Sequence, residues 1–334
     1  MFNHSIASKS VDRRDDSQQR IEPMAMGATM YVPVVHPAVQ AVVTGQKYPG
    51  LRSVVLCLED ALHINDIERG MLALRDLLAA LAAAAIGSAH IEPLHSRPGV
   101  WPRRRGGDSG PLLFVRPRNL VMAMSIAALP GIGMVDGLVV PKLRIEEVEP
   151  WWRLAQDADL RLMPTLENPW VLDPVALSDF ADMLEEQDKG RLIALRVGGN
   201  DLLGLMGLRR DRGHTLYEGP LMWGLSQLMC QLGSRGHALT APVFERLDDP
   251  VTLIAECRRD AAFGFIAKTA IHPSQIAVIE SAFTVTPQDL VAAHEMLSGD
   301  SGAVFRQVGA MAEPATHRPW AKRIIARSVA YGVA

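Results

Sequence analysis

Eight short apolar runs alternate with longer amphipathic stretches over about the length of one barrel, and charged residues recur where the runs end. Together these predict a (β/α)8 barrel carrying a C-terminal helical extension. The runs are 28–35, 51–58, 111–116, 137–142, 160–167, 191–198, 237–244 and 264–268. Helix-like segments lie between them, clearest at 66–85, 145–158, 173–187, 217–233 and 249–262. Strands that alternate with such helices imply parallel βαβ units. From residue 28 to 281 the alternation fills roughly the ~250 residues of a single such barrel. The structural rival is a doubly wound open sheet, which would place a Gly-rich phosphate turn after its first strand; "VPVVHPAVQ" has none. The expected boundaries are a mobile N-terminal tail at 1–25, the barrel at 26–299 and the helical extension at 300–334.

The chain has 334 residues, 48% of them hydrophobic and 21% charged, enough apolar side chains for a substantial core. A net charge of -3 leaves no electrostatic footprint for nucleic acid. Arg103, Arg104 and Arg105 lie between Pro102 and Gly106 and read as an exposed loop. Cys57, Cys230 and Cys257 form no C-x-x-C pair, so neither a zinc knuckle nor a disulfide framework is indicated, and a reducing cytoplasm fits. Cys57 sits inside the apolar run of the second strand and reads as an inert buried thiol. The polar N-terminus lacks a signal-type apolar core, and no charge-free apolar stretch of about 18 residues follows, so no membrane partner is expected.

The strand ends carry the chemistry. "SVVLCLEDAL" runs from buried strand straight into Glu59 and Asp60. The third run ends at Arg116, the fourth at Lys142, the fifth at Glu167, the sixth runs through "RVGGNDL" into Asp201, and the eighth gives Lys268. In a barrel all these ends converge on one mouth, where the active site lies. Four carboxylates crowded there would repel and raise one another's pKa. A hard divalent cation relieves this, and carboxylates without thiolates or clustered histidines favour Mg2+ or Mn2+ over Zn2+. Arg116 suits a carboxylate or enolate oxygen, because a guanidinium clamps an oxyanion with two parallel bonds. Arg118 reads as a surface residue at a helix start. Lys142 reads equally as a site cation or as a structural partner of the acids. His272 precedes Pro273 and reads as orienting a turn.

"LCLEDAL", "FVRPRN", "GLVVPKL", "MPTLEN", "GGNDLLGLMG", "AKTAIHPSQI" and "FTVTPQDLVAAHEML" occur in that order. Over about residues 28–325 the sequence thereby resembles the HpcH/HpaI aldolase and citrate lyase beta-subunit superfamily. The opening "MYVPVVHP" and closing "GAMAEPATHRPWAKRIIARSVAYG" are similar to one branch of it, the carbon-carbon bond lyases of TIM-barrel fold found in tellurite-resistance-type gene clusters. The resemblance implies a Mg2+-dependent lyase or aldolase acting through the enolate of a 2-oxo acid or an acyl thioester, possible CoA thioesters among them. It implies Glu167 and Asp201 as the metal ligands, Arg116 as the matching arginine, and Glu59-Asp60 as the pair that orders metal-bound water. The extension carries apolar residues at Ile324, Ile325, Val329 and Tyr331, more than a disordered tail needs, and a closed barrel has no further strand slot for them. The resemblance further implies a homo-oligomer, trimer or hexamer, in which they pack on the next protomer and an acid of the C-terminal segment reaches a neighbour's site; the matching residue is Glu313, whose alternative reading is an acid favoured near a helix N-terminus. One departure stands out. Asn168-Pro169-Trp170 follows Glu167 where relatives often carry a small or hydroxyl residue, so Trp170 is expected to narrow or reshape the acyl pocket. Two readings from other classes stay open: a non-catalytic barrel that keeps a metal, and a metal-dependent phosphoryl- or enolpyruvyl-transfer barrel, for which no Walker-type loop is present.

Overall fold

In the computed structural model the described residues are 21–87, 110–188, 190–298, 302–307 and 309–334. The Arg103–Arg105 run lies outside them. Each β-strand is short and apolar, and each is followed by a helix that returns the chain to the same end of the sheet. In order these are β1 (Ala28–Pro33), α1 (Val39–Val43), β2 (Ser53–Cys57), α2 (Ile67–Gly87), β3 (Leu112–Arg116), α3 (Leu120–Ala127), β4 (Gly137–Val140), α4 (Val148–Asp157), β5 (Arg161–Leu166) and α5 (Pro174–Gln187). Then follow β6 (Leu195–Val197), α6 (Gly199–Leu205), α7 (Leu221–Leu228), β7 (Leu239–Thr240), α8 (Pro250–Phe263), β8 (Lys268–Ala270), α9 (Ser274–Ala282), α10 (Pro287–Leu297), a small hairpin of β9 (Phe305–Gln307) and β10 (Ala310–Ala312), and α11 (Pro314–Tyr331).

The eight barrel strands are parallel and ordered β7-β6-β5-β4-β3-β2-β1-β8. A parallel bridge between Ala241 and Lys268 closes the ring, with Ala241 N–H donating to the Ala267 carbonyl at 2.8 Å. Alternation along each strand sorts its side chains into two cores. Val55, Phe114, Val139, Met163 and Ala267 fill the barrel interior, and a larger cluster including Leu56, Val115, Leu138, Leu162 and Leu195 packs between the strands and the helices. Helix starts follow local chemistry: Asp173, Asp249 and Thr286 each accept a hydrogen bond from a first-turn N–H, and a proline follows each of them.

Three expectations need adjustment. Residues Pro23–Met26 form a 3-10 turn whose Met26 is buried against the barrel floor, so the tail boundary at residue 25 falls inside structure. The eighth strand does not end at Lys268 but begins there. Gly264, at φ 115°, caps α8 in the left-handed region, and the strand starts four residues later. Finally, Ile324 and Tyr331 of the C-terminal helix are buried within their own chain, Ile324 with Val285, Ala293 and Met296, and Tyr331 with Phe283. They were expected to pack on a neighbour because a closed barrel offers no further strand slot; α9 and α10 supply the surface instead. Ile325 is half-buried and Val329 stays exposed. Among the described residues no helix is long and apolar enough to cross a membrane.

Candidate active site

The mouth is assembled from the ends of β1 to β6 and β8. Glu59 follows β2 by two residues and is buried, yet it is not left unpaired. Arg116, the last residue of β3, places Nη2 at 3.0 Å from Glu59, 3.1 Å from Glu167 and 3.7 Å from Asp60. One guanidinium therefore ties the second, third and fifth strands together. Burial opposes its charge, but Tyr31, Glu167 and Glu59 more than offset that and hold its pKa above the ordinary value. Lys142 Nζ lies 3.1 Å from Glu59 and 3.6 Å from Asp60. Burial works against this ammonium as well, and the same two acids still raise its pKa. Asp60 is the exposed member of the pair. Partial burial pushes its pKa up, but Glu59, Arg116 and Lys142 together hold it below the usual carboxylate value, while burial raises that of Glu59.

Glu167 lies deepest. Its carboxylate accepts the Lys142 backbone N–H at 2.7 Å, which requires the turn after β4 to bend sharply. Lys142 does so at φ 43°, a left-handed conformation strained for a non-glycine residue. The segment after β5 stabilises that turn: Asn168 Nδ2 donates to the carbonyls of Lys142 at 2.8 Å and Leu143 at 2.9 Å, and Trp170 Nε1 donates to Leu143 at 3.0 Å. Trp170 thus does not narrow the mouth. It turns outward onto Phe180, ring centroids 4.8 Å apart, and braces the loop that carries Lys142.

Gly198, just after β6, explains how Glu167 fits. A Cβ there would come within 2.4 Å of Glu167 Cβ and 2.5 Å of its Oε2. Asp201, in the first turn of α6, lines the same cavity of about 350 Å3 with Asp60, Arg116 and Glu167. Burial first, then Asp201 and Glu59, push the Glu167 carboxyl up to about 7, against the pull of Arg116. A buried carboxylate so poorly compensated fits a divalent cation. Among the described residues no three His, Cys, Asp or Glu side chains cluster as a ready cage. Two carboxylates with room for water and substrate are a donor set that suits Mg2+, which keeps several of its waters.

The remaining expected residues fall elsewhere. Lys268 points away from the mouth because it opens β8 with its side chain toward α8. It is fully buried, donating to Glu256 at 2.9 Å and Asp260 at 2.7 Å. Arg118 is no surface residue: its guanidinium donates to the carbonyls of Glu59, at 3.2 Å, and Leu62, fixing the acidic loop. His272 bonds Ser274 and shapes its turn, as expected. Glu313 caps the start of α11 by position but makes no side-chain capping bond, and it does not line the mouth of its own chain. Cys57 does face the cavity, with its thiol pKa raised by burial.

Among the lining residues that sequence reasoning missed are Tyr31, Thr165, Arg196 and Thr269. Arg196 is 2% exposed in the middle of β6, its guanidinium bonded to Thr269 Oγ1 and lying 5.2 Å from the centre of the Tyr31 ring. The signal was in "LIALRVGG": Arg196 is two residues before Gly198 and so shares its inward face.

The chain is 20% identical to the CitE protein of Mycobacterium tuberculosis, solved with magnesium, acetoacetate and coenzyme A, covering 91% of this chain and 99% of that one at a TM-score of 0.62. A citrate lyase from Burkholderia xenovorans superposes with a TM-score of 0.66 at 15% identity, covering 92% and 93% of the two chains. At such identities the likeness speaks for the fold. In sequence the chain is 27% identical over 166 residues to a (3S)-malyl-CoA thioesterase of Cereibacter sphaeroides, 49% of this chain and 53% of that protein. It is 26% identical over 174 residues to the mitochondrial citramalyl-CoA lyase of Mus musculus, 49% and 50% of the two. The match spans about half the length of these relatives. The family described as C-C bond lyase of the TIM-barrel fold matches residues 20–333, nearly the whole described chain with its mouth residues, and the chain belongs to that family.

Proposed function

We propose that the protein is a Mg2+-dependent carbon-carbon bond lyase that cleaves or forms a bond next to the carbonyl of an acyl thioester, with a 2-oxo acid as the other partner. The observation that carries this reading is the shared cavity in which Glu167 and Asp201 stand beside Arg116, with the Glu167 carboxyl pushed up to about 7 by burial and by the neighbouring Asp201 and Glu59. Glu167 and Asp201 would hold the metal, which when bound acts as a Lewis acid on the 2-oxo acid. Arg116, already fixed by Glu59 and Glu167, presents a charge that needs no reorganisation to meet the oxyanion of the enolate. Its buried Nε has no partner among the described residues and is free to bond that oxygen. Glu59 and Asp60, held by Arg116 and Lys142, are placed to accept hydrogen bonds from water at the mouth.

The carbon of the enolate still needs a proton donor. Glu313 from a second copy of the chain is our candidate, supported by its partly exposed side chain, which makes no capping bond, and by its not lining its own mouth. This reading makes the working form a homo-oligomer, trimer or hexamer, in the cytoplasm, with CoA thioesters as substrates. Magnesium titration calorimetry and a thioester-cleavage assay test it on one preparation. Glu167→Gln and Asp201→Asn should each weaken Mg2+ binding by at least about tenfold and abolish release of a 2-oxo acid from 3-carboxy-3-hydroxyacyl-CoA substrates, consistent with a lost charged ligand. Unchanged Mg2+ affinity in both variants would remove the metal assignment. Metal binding without turnover on any thioester would leave a binding barrel instead.

A further inference from the structure

Arg196 sits one layer beneath Glu167. It pairs in register with Thr165 of β5 and Thr240 of β7, so its side chain enters the barrel below the acids. Burying a guanidinium is costly unless it is paired, and buried arginines are normally met by carboxylates. Arg116, three strands away, has three of them. Among the described residues no carboxylate forms an ion pair with Arg196; its neighbours are the Thr269 hydroxyl and the face of Tyr31. Its buried Nη1 has no hydrogen-bond partner, and neither has the buried hydroxyl of Thr165 beside it. Both residues line the mouth cavity. The Thr240 hydroxyl, in register on the other side of Arg196, is likewise unmet, and unmet polar groups gathered at the bottom of a site are an arrangement a native fold keeps for a ligand.

We propose that Arg196 and Thr165 form an anion subsite beneath the metal position, which takes a second carboxylate, so that the 2-oxo acid partner is a diacid. The inference rests on the reading of the mouth as a 2-oxo acid site and narrows it. Glu167 and Asp201 would serve the 2-oxo end of such a molecule, while the forked guanidinium meets its far end. Thr165 donates one further bond. A cavity of about 350 Å3 holds an acid of four or five carbons. A monoacid of the same length would place a methyl group against Nη1 and leave the cation unpaired, which is the situation in which a buried polar site discriminates most strongly.

The test is calorimetry on the full chain in Mg2+ buffer with two probes of equal length, 2-oxoglutarate and 2-oxopentanoate. The wild-type protein should bind the diacid at least about tenfold more tightly, the worth of one hydrogen-bonded charge pair. In Arg196→Gln the ratio should collapse toward one, and in Arg196→Lys, which keeps charge but loses the fork, it should fall part of the way. Equal affinities in the wild type would overturn the subsite while leaving the 2-oxo acid reading intact. Binding of neither probe would overturn both. A diacid preference that survives in Arg196→Gln or is undiminished in Arg196→Lys would take the subsite away from Arg196, and the wild-type ratio decides the substrate class even if the Gln variant does not fold.

Discussion

Gly198 shows how much of the site is set by one missing methyl group. Its φ of -86° suits any residue, so the glycine is there for space and not for backbone freedom. Replacing it by alanine puts a carbon 2.4 Å from Glu167 Cβ and 2.5 Å from Oε2, contacts that real Cβ atoms do not tolerate, and the carboxylate must move. We expect Gly198→Ala to keep the far-UV circular dichroism of the barrel while weakening Mg2+ affinity by more than about tenfold, because a ligand shifted by an ångström no longer meets the octahedral demand of the metal. Magnesium titration checks it; wild-type affinity would mean that Glu167 is not a ligand. At this scale the sequence was highly legible. Glu59, Asp60, Arg116, Lys142, Glu167 and Asp201 were found because each follows a run of strand residues, and the structure brings all six to one end. Arg196 was not, because only the strand ends were read for charge, although its place two residues before Gly198 puts it on the same face.

At the scale of elements, Lys268 shows how a small boundary error inverts a prediction. The run 264–268 reads as a strand ending in lysine, but the strand begins at Lys268, and period-two alternation then sends the side chain outward to α8. There it meets Glu256 and Asp260, one helical turn apart on the inner face, with Arg210 also on Glu256 and the Tyr217 hydroxyl 2.6 Å from Asp260. The network joins β8 to its helix. Burial pushes the Asp260 carboxyl up to about 6 despite Lys268, whereas Glu256, with two cations, is held below its ordinary value. Lys268→Met should cost about 3–5 kcal/mol in urea unfolding, since it strands buried carboxylates without their cation. The sign of the pH dependence follows. Without Lys268 the folded pKa of Asp260 climbs further above its unfolded value near 3.8, so the folded state holds the proton more tightly. Stability of the variant should then fall as pH rises from about 4 and keep falling above about 6, where the fall due to Asp260 in the wild type ends. A variant with a flat or rising profile would show that the network is not what couples β8 to α8.

The whole molecule closes at its C-terminal helix. Apolar residues at Ile324, Ile325, Val329 and Tyr331 were legible as too many for a disordered tail, but the surface that receives them depends on helices far along the chain, and spacing alone cannot choose between a neighbour and the chain itself. Tyr331 makes the choice visible. Its hydroxyl donates to the Ile266 carbonyl at 2.6 Å, its ring stacks on Phe283 at 5.2 Å, and the Arg52 guanidinium lies 4.2 Å from its centre. Beyond it, Val285 and the chain at Gly332 and Ala334 exchange backbone hydrogen bonds of 3.1 and 3.0 Å. The buried face of the helix is therefore part of the fold of its own subunit, while Trp320, Val329 and the partly exposed Glu313 lie outside that face. Removing residues after Gly299 should accordingly destabilise the barrel itself, and cannot by itself separate assembly from folding. Two point variants can. Tyr331→Phe should cost about 1 kcal/mol for the lost hydrogen bond, and Tyr331→Ala about 3–5 kcal/mol for the vacated ring space, both read by urea unfolding. Glu313→Ala, by contrast, should leave unfolding unchanged to within about 0.5 kcal/mol, because a partly exposed acid with no capping bond contributes little to stability. If Glu313 serves a neighbouring mouth, mixing Glu313→Ala chains with Asp201→Asn chains should restore part of the thioester cleavage that each lacks alone, through hybrid sites that pair an intact metal end with an intact acid. No recovery on mixing, with chains shown to exchange, would confine Glu313 to its own subunit.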